Sequence, residues 1–104
     1  MSEEKKVTQE QIKEWKAKHK FVYRATIDGV DYYFRTLTRD DYLAISAKQV
    51  AMGQALDYEL ETVKTCLLTD MDAETIAAKS GVVTVLSEKI MARSGFAQVE
   101  EEEL

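Results

Sequence analysis

Residues 21–42 read FVYRATIDGVDYYFRTLTRDDY, and this stretch decides the architecture. Asp28-Gly29 lies between two runs rich in Val, Ile, Tyr, Phe and Thr. An Asp-Gly pair in that setting supplies the two positive φ angles of a type I′ turn, so the stretch is expected to be a β-hairpin. Setting Ile27 opposite Val30 places Ala25 against Tyr32 and Tyr23 against Phe34. Because strand side chains alternate, Phe21, Tyr23, Ala25, Ile27, Val30, Tyr32 and Phe34 then share one apolar face. Val22, Arg24, Thr26, Asp31, Tyr33 and Arg35 share the other. A slip of one residue would expose the whole apolar set, which holds the register.

The strand runs directly into a helix signal. Thr38 is an N-cap residue, and Asp40 and Asp41 put carboxylates at the positive end of the helix dipole. That helix is expected to reach Met52, with Tyr42, Ile45 and Gln49 on one side and Leu43, Ala47 and Val50 adjacent. Gly53 ends or bends it. Upstream, Thr8 with Gln11 makes a capping box for a short helix over Gln9–Lys18, carrying Ile12 and Trp15 amid charges. Downstream, Leu56, Leu60, Val63 and Leu67 recur at helical spacing and predict a helix over 55–68. Asp72 caps a short helix through Ala78, stopped by Ser80-Gly81. A last helix over Val82–Arg93 turns Val83, Leu86, Ile90 and Met91 inward. Ser94-Gly95-Phe96 terminates it, with Phe96 packing back on its last turn. The fold class is therefore α+β and mostly helical: an N-terminal helix and one hairpin, then three or four packed helices. Residues 1–7 are expected to be disordered, 8–96 to form a single domain, and 97–104 to be a disordered acidic tail.

Composition narrows the function classes. The 104 residues carry a net charge of −5, four negatives of which are Glu100–Glu103. Elsewhere the chain is close to neutral, and the lysines of the first helix are interleaved with Glu10 and Glu14. That pattern is a solvated helix face rather than a nucleic-acid footprint. No apolar run is long enough to span a membrane. A single cysteine excludes an internal disulfide and suits a reducing compartment. The polar start has no signal-peptide core, so the expected location is cytoplasmic.

Chemistry-bearing residues are few. His19 sits among lysines at the end of the first helix, where a solvated residue is expected. Cys66 falls on the third helix and reads as a buried small hydrophobe, since the only imidazole lies on a different element. One His and one Cys make no zinc set. Asp70, Asp72 and Glu74 alternate, but the glycine and distal glutamate of a calcium loop are missing. Neither glycine turn has a phosphate-binding pattern. No catalytic, cofactor or metal residues are therefore assigned, and the chain reads as a non-enzymatic protein.

Two segments resemble a known family. Tyr32–Tyr42, YYFRTLTRDDY, is similar to the strand-to-helix junction of small phage tail-assembly chaperones. In that group an aromatic-Arg-x-Leu-Thr step precedes an acidic, Tyr-containing helix. Val85–Phe96, VLSEKIMARSGF, looks like the closing helix of the same proteins, finished by Ser-Gly-Phe. Together they cover about a quarter of the chain. The resemblance implies a protein that coats the tape-measure protein during virion assembly in the host cytoplasm. A small helical domain suits this, since it offers an apolar surface to an amphipathic helix, and repeated weak contacts add through avidity. On that basis Trp15, Tyr33, Tyr42, Met52 and Met71 are the partner-contact candidates: each is large, apolar and not needed for the expected core. Self-association is compatible with the same reading. The alternatives are a minor structural component of the virion, or a small acidic inhibitor that uses Glu100–Glu103 against a basic site of a host protein.

Overall fold

The structure is a computed structural model that describes residues 6–96 and 99–104. Its elements run in the order α1 (Gln9–His19), β1 (Val22–Ile27), β2 (Val30–Arg35), α2 (Arg39–Met52), a 3₁₀ turn (Gly53–Ala55), α3 (Tyr58–Cys66), α4 (Ala73–Ala78) and α5 (Ser80–Arg93). The α+β, mostly helical class follows from that order. Among the described residues, no helix is long and apolar enough to cross a membrane. The expected disorder of residues 1–7 and 97–104 falls partly on 1–5 and 97–98, which lie outside the described residues. Val99–Leu104 has neither helix nor strand and is exposed.

The hairpin has the register that its sequence dictates, with Ile27 opposite Val30, Ala25 opposite Tyr32 and Tyr23 opposite Phe34. Asp28 and Gly29 take φ of 51° and 76°, the left-handed pair of a type I′ turn. The apolar face is unevenly covered. Tyr32 and Phe34 of β2 are buried, Tyr23, Ala25 and Ile27 of β1 are half-buried, and Phe21 and Val30 are exposed. The helices pack beneath β2, so β1 lies toward the rim of the sheet.

Tyr33 departs from its expected setting. Alternation puts it on the polar face, yet it is only 8% exposed. The reason is α1, whose Trp15 ring lies 5.5 Å from the Tyr33 ring. The hairpin is thus covered on both faces, and Trp15 docks α1 onto the second one. The chain enters β1 from α1 through a tight bend at Lys20 (φ 64°, ψ −51°), closed by a 2.6 Å hydrogen bond from Phe21 N–H to the His19 carbonyl. That is the geometry of a γ-turn.

The third helix is shorter than its apolar period. It starts at Tyr58, because Asp57 caps it by accepting from Leu60 N–H at 3.1 Å, and it ends at Cys66. Leu67 and Leu68 leave the helix to lie along β2. Leu68 N–H donates to the Tyr33 carbonyl at 2.8 Å, and Leu67 bridges Phe34. Tyr33 N–H in turn donates to Thr69 Oγ1 at 3.3 Å. Pairing the open edge of β2 satisfies backbone groups that would otherwise lack partners, and it overrides the helical spacing of Leu67.

The break between α4 and α5 falls at Lys79, not at Ser80-Gly81. Lys79 (φ −127°) ends α4, and Ser80 and Gly81 form the first turn of α5. The N–H groups of a first turn have no intrahelical partner, so glycine costs less there than in a helix interior. At the other end, Gly95 N–H bonds to the Ala92 carbonyl at 3.3 Å and Phe96 N–H to the Met91 carbonyl at 3.0 Å. With Gly95 at φ 95°, this is a Schellman cap. The Phe96 ring lies against Tyr42 of α2, with ring centroids 5.4 Å apart.

The core joins Tyr32, Phe34 and Leu37 to Ile45, Val63, Cys66, Val82, Val83, Leu86 and Ile90. Its two buried polar residues are internally satisfied: Thr62 donates to the Tyr58 carbonyl and Ser87 to the Thr84 carbonyl, each at 2.9 Å.

Candidate functional site

The densest polar cluster lies where β2 becomes α2. Arg35 makes four hydrogen bonds to three partners across the junction. Its Nη1 donates to Asp41 Oδ2 at 2.6 Å and to the Thr36 carbonyl at 2.9 Å. Its Nη2 donates to the Thr65 carbonyl at 2.9 Å and to Asp41 Oδ1 at 3.5 Å. One guanidinium thereby ties the end of the hairpin to the start of α2 and the last turn of α3. The bidentate fork is what arginine supplies and lysine cannot.

Asp41 also closes a reciprocal cap. Thr38 N–H donates to Asp41 Oδ2 at 3.0 Å, and Asp41 N–H donates to Thr38 Oγ1 at 3.1 Å. Burial raises the Asp41 carboxyl, but the hydrogen bonds from Arg35 and Thr38 outweigh it and hold the group below its ordinary value. Arg35 is raised by the same hydrogen bond to Asp41.

A second tie connects this junction to the end of the chain's last helix. Leu37 N–H donates to Ser94 Oγ at 2.8 Å, while Ser94 Oγ donates to the Ile90 carbonyl. With the Tyr42–Phe96 ring contact, residues 32–42 and 85–96 form one packed unit. These are structural bonds, and none presents a free nucleophile or base.

His19 and Cys66 both lie within electrostatic reach of the Arg35–Asp41 pair. His19 is half-buried rather than fully solvated, and burial, then Arg35 and Lys18, lower its value. Cys66 is fully buried, and burial pushes its thiol up to about 11. At neutral pH it is therefore protonated and a poor nucleophile. Among the described residues, no group of three His, Cys, Asp or Glu side chains is placed to hold a metal ion.

The five partner-contact candidates fall in different settings. Trp15 is half-buried against Tyr33, and Tyr33 is buried, so both are occupied in holding α1 to the hairpin. Tyr42 is half-buried between Phe96 and the Arg39 guanidinium, which lies 5.4 Å from its ring centroid. Met71 is half-buried against the core. It lines an open cleft of about 210 Å³ with Leu60, Val63, Leu67 and Ile76, joined by Lys64, Thr69 and Asp70. Met52, at the end of α2, is 50% exposed.

The structure adds two apolar residues to these. Leu43 is 50% exposed and Val50 is 89% exposed, both on α2. They share a face with the exposed Ala44, Ala47 and Ala51, opposite the buried Ile45. The signal was in the sequence: from Tyr42 to Met52 the apolar residues of α2 point in several directions, and one helix cannot bury every face against a single core.

The chain matches no family model, no curated protein and no solved structure.

Proposed function

We propose that this chain is a non-enzymatic assembly protein of a tailed phage, a tail-assembly chaperone that binds the tape-measure protein in the host cytoplasm. One observation carries the reading. The two segments that resemble the chaperone family, Tyr32–Tyr42 and Val85–Phe96, are far apart in sequence yet meet through the Leu37–Ser94 hydrogen bond and the Tyr42–Phe96 contact. Paired packing motifs that meet in space are what a shared fold would retain. Away from this junction, Met71 lines an open cleft with Leu60, Val63, Leu67 and Ile76, an apolar surface of the kind an amphipathic helix of a partner can use.

The test is a pull-down of the tagged chain from infected or co-expressing cells, with partner identification and sizing of the complex. A long, helix-rich tail protein carrying many copies of this chain is the expected result. A single host protein in a one-to-one complex would overturn the proposal in favour of an inhibitor. Presence of the chain in purified virions would place it among the structural components.

A further inference from the structure

We propose that the outward face of α2 is a self-complementary surface, through which two copies of this chain pair as a two-fold symmetric dimer. This goes beyond the chaperone reading and does not depend on it.

The face consists of Leu43, Ala44, Ala47, Val50 and Ala51, all exposed. Within residues 42–56 the only charged side chain is Lys48, and it is held by Glu61 at 3.0 Å. Two copies therefore bring no unpaired like charges together along the middle of the face. Its pattern is symmetric about Ala47. In an antiparallel pair with the two-fold axis at Ala47, Leu43 of one copy stands opposite Ala51 of the other, and Ala44 stands opposite Val50. Large meets small at each level, which lets two helices interdigitate at close range. A parallel arrangement would set Leu43 beside Leu43 and Val50 beside Val50, holding the alanines apart.

The area is sufficient for a weak dimer and no more. A 14-residue helix is about 21 Å long, and with the stems of its flanking side chains one face presents on the order of 500 Å². Two copies would bury about 1,000 Å², the lower edge of specific interfaces, so the association is expected in the micromolar range. A closed two-fold contact also limits itself to two chains, whereas a head-to-tail contact would propagate.

Sedimentation equilibrium of the full chain over micromolar to millimolar concentration gives the first test, and site-directed cross-linking gives the second. A reversible monomer–dimer equilibrium is expected, weakened at least ten-fold by V50K and by the milder V50S. Ala47→Cys should form a disulfide-linked dimer on mild oxidation, since the axis brings the two copies of this residue together. Leu43→Cys and Ala51→Cys should each cross-link poorly alone, their copies being about 12 Å apart along the helix. Mixed together, they should cross-link. Cys66 can stay in place because its thiol is buried, and Val85→Cys on the exposed side of α5 serves as the control. A chain that stays monomeric, or one whose Ala47→Cys variant cross-links no faster than the Val85→Cys control, would overturn the proposal. So would an open-ended assembly that V50K leaves intact. None of these outcomes bears on the pull-down, so the two proposals fail separately.

Discussion

Helices α2 and α5 are each 14 residues long and both rich in apolar side chains, yet they are used in opposite ways. Helix α5 buries Val82, Val83, Leu86, Ser87 and Ile90, whereas α2 buries only Ile45. The difference lies in their neighbours. Helix α5 packs along α3 and α4, and its buried residues share one core with Tyr32 and Phe34 of β2, so its apolar residues have partners. Helix α2 is anchored at its N-terminal end, by the Arg35–Asp41 cluster and the Tyr42–Phe96 contact, and buries only Ile45 in the core. An apolar residue thus becomes core only where a second element arrives to cover it.

The largest effect should come from α5. Leu86 is fully buried at the centre of the core, and Leu86→Ala is expected to cost about 3 kcal/mol through lost burial and the cavity left behind. Urea denaturation followed by circular dichroism measures this directly. A loss below about 1 kcal/mol would mean that the site collapses around the alanine and that α5 is less tightly held than its burial indicates.

Next is the junction that anchors α2. Arg35→Met keeps much of the side-chain volume but leaves the Asp41 carboxylate and the Thr65 carbonyl without their donor, at a cost of about 2 kcal/mol. The same pair sets an acid dependence. Because the Asp41 value is lowered on folding, its contribution is fully present above the ordinary carboxylate value of 3.8. It is lost as pH falls through the lower folded value. In Arg35→Met that contribution should largely disappear, so the difference in stability between the two proteins should shrink in acid. A difference that stays constant from neutral pH to pH ~2 would remove Asp41 from the account.

The hairpin turn ranks third. Gly29 sits at φ 76° with open space where a Cβ would project, so Gly29→Ala tests backbone conformation without a steric clash. A loss of about 1 kcal/mol is expected. Unchanged thermal stability would show that the turn can relax to another type without disturbing the register.

Most of this architecture was legible from local chemistry. The Asp28-Gly29 pair, the two Thr caps and the Ser94-Gly95-Phe96 stop each act within a few residues, and each forms as its sequence dictates. What was not legible depended on a distant element. The burial of Tyr33 requires Trp15, eighteen residues upstream and on the far side of a γ-turn, to cover it. The early end of α3 requires the open edge of β2 to claim Leu67 and Leu68. The candidate surface suffered in the same way. Trp15 and Tyr33 looked free because nothing local buries them, and they proved to be each other's partners. Leu43 and Val50 passed for ordinary helix residues because only the packed structure shows which side of α2 is left open.

The smallest expected effect is the most instructive, because it compares the two faces of one helix. Ile45→Ala and Val50→Ala both remove methyl groups from α2, and both put a better helix former in place of a β-branched residue. At Ile45 the gain in propensity is overwhelmed by a buried cavity, and a loss of about 2 kcal/mol is expected. At Val50, which is 89% exposed, there is no core contact to lose. In a sample dilute enough to be monomeric, Val50→Ala should change the unfolding free energy by no more than about 0.5 kcal/mol, with either sign. Raising the protein concentration then separates two meanings of that exposed valine. If α2 pairs with a second copy, the wild-type midpoint rises with concentration by mass action, and the Val50→Ala midpoint rises less. If the outer face is bare in the isolated protein, both midpoints are independent of concentration and the two curves stay superimposed. A large loss from Val50→Ala even at high dilution would contradict both, and would mean that another part of the same chain covers this face of α2.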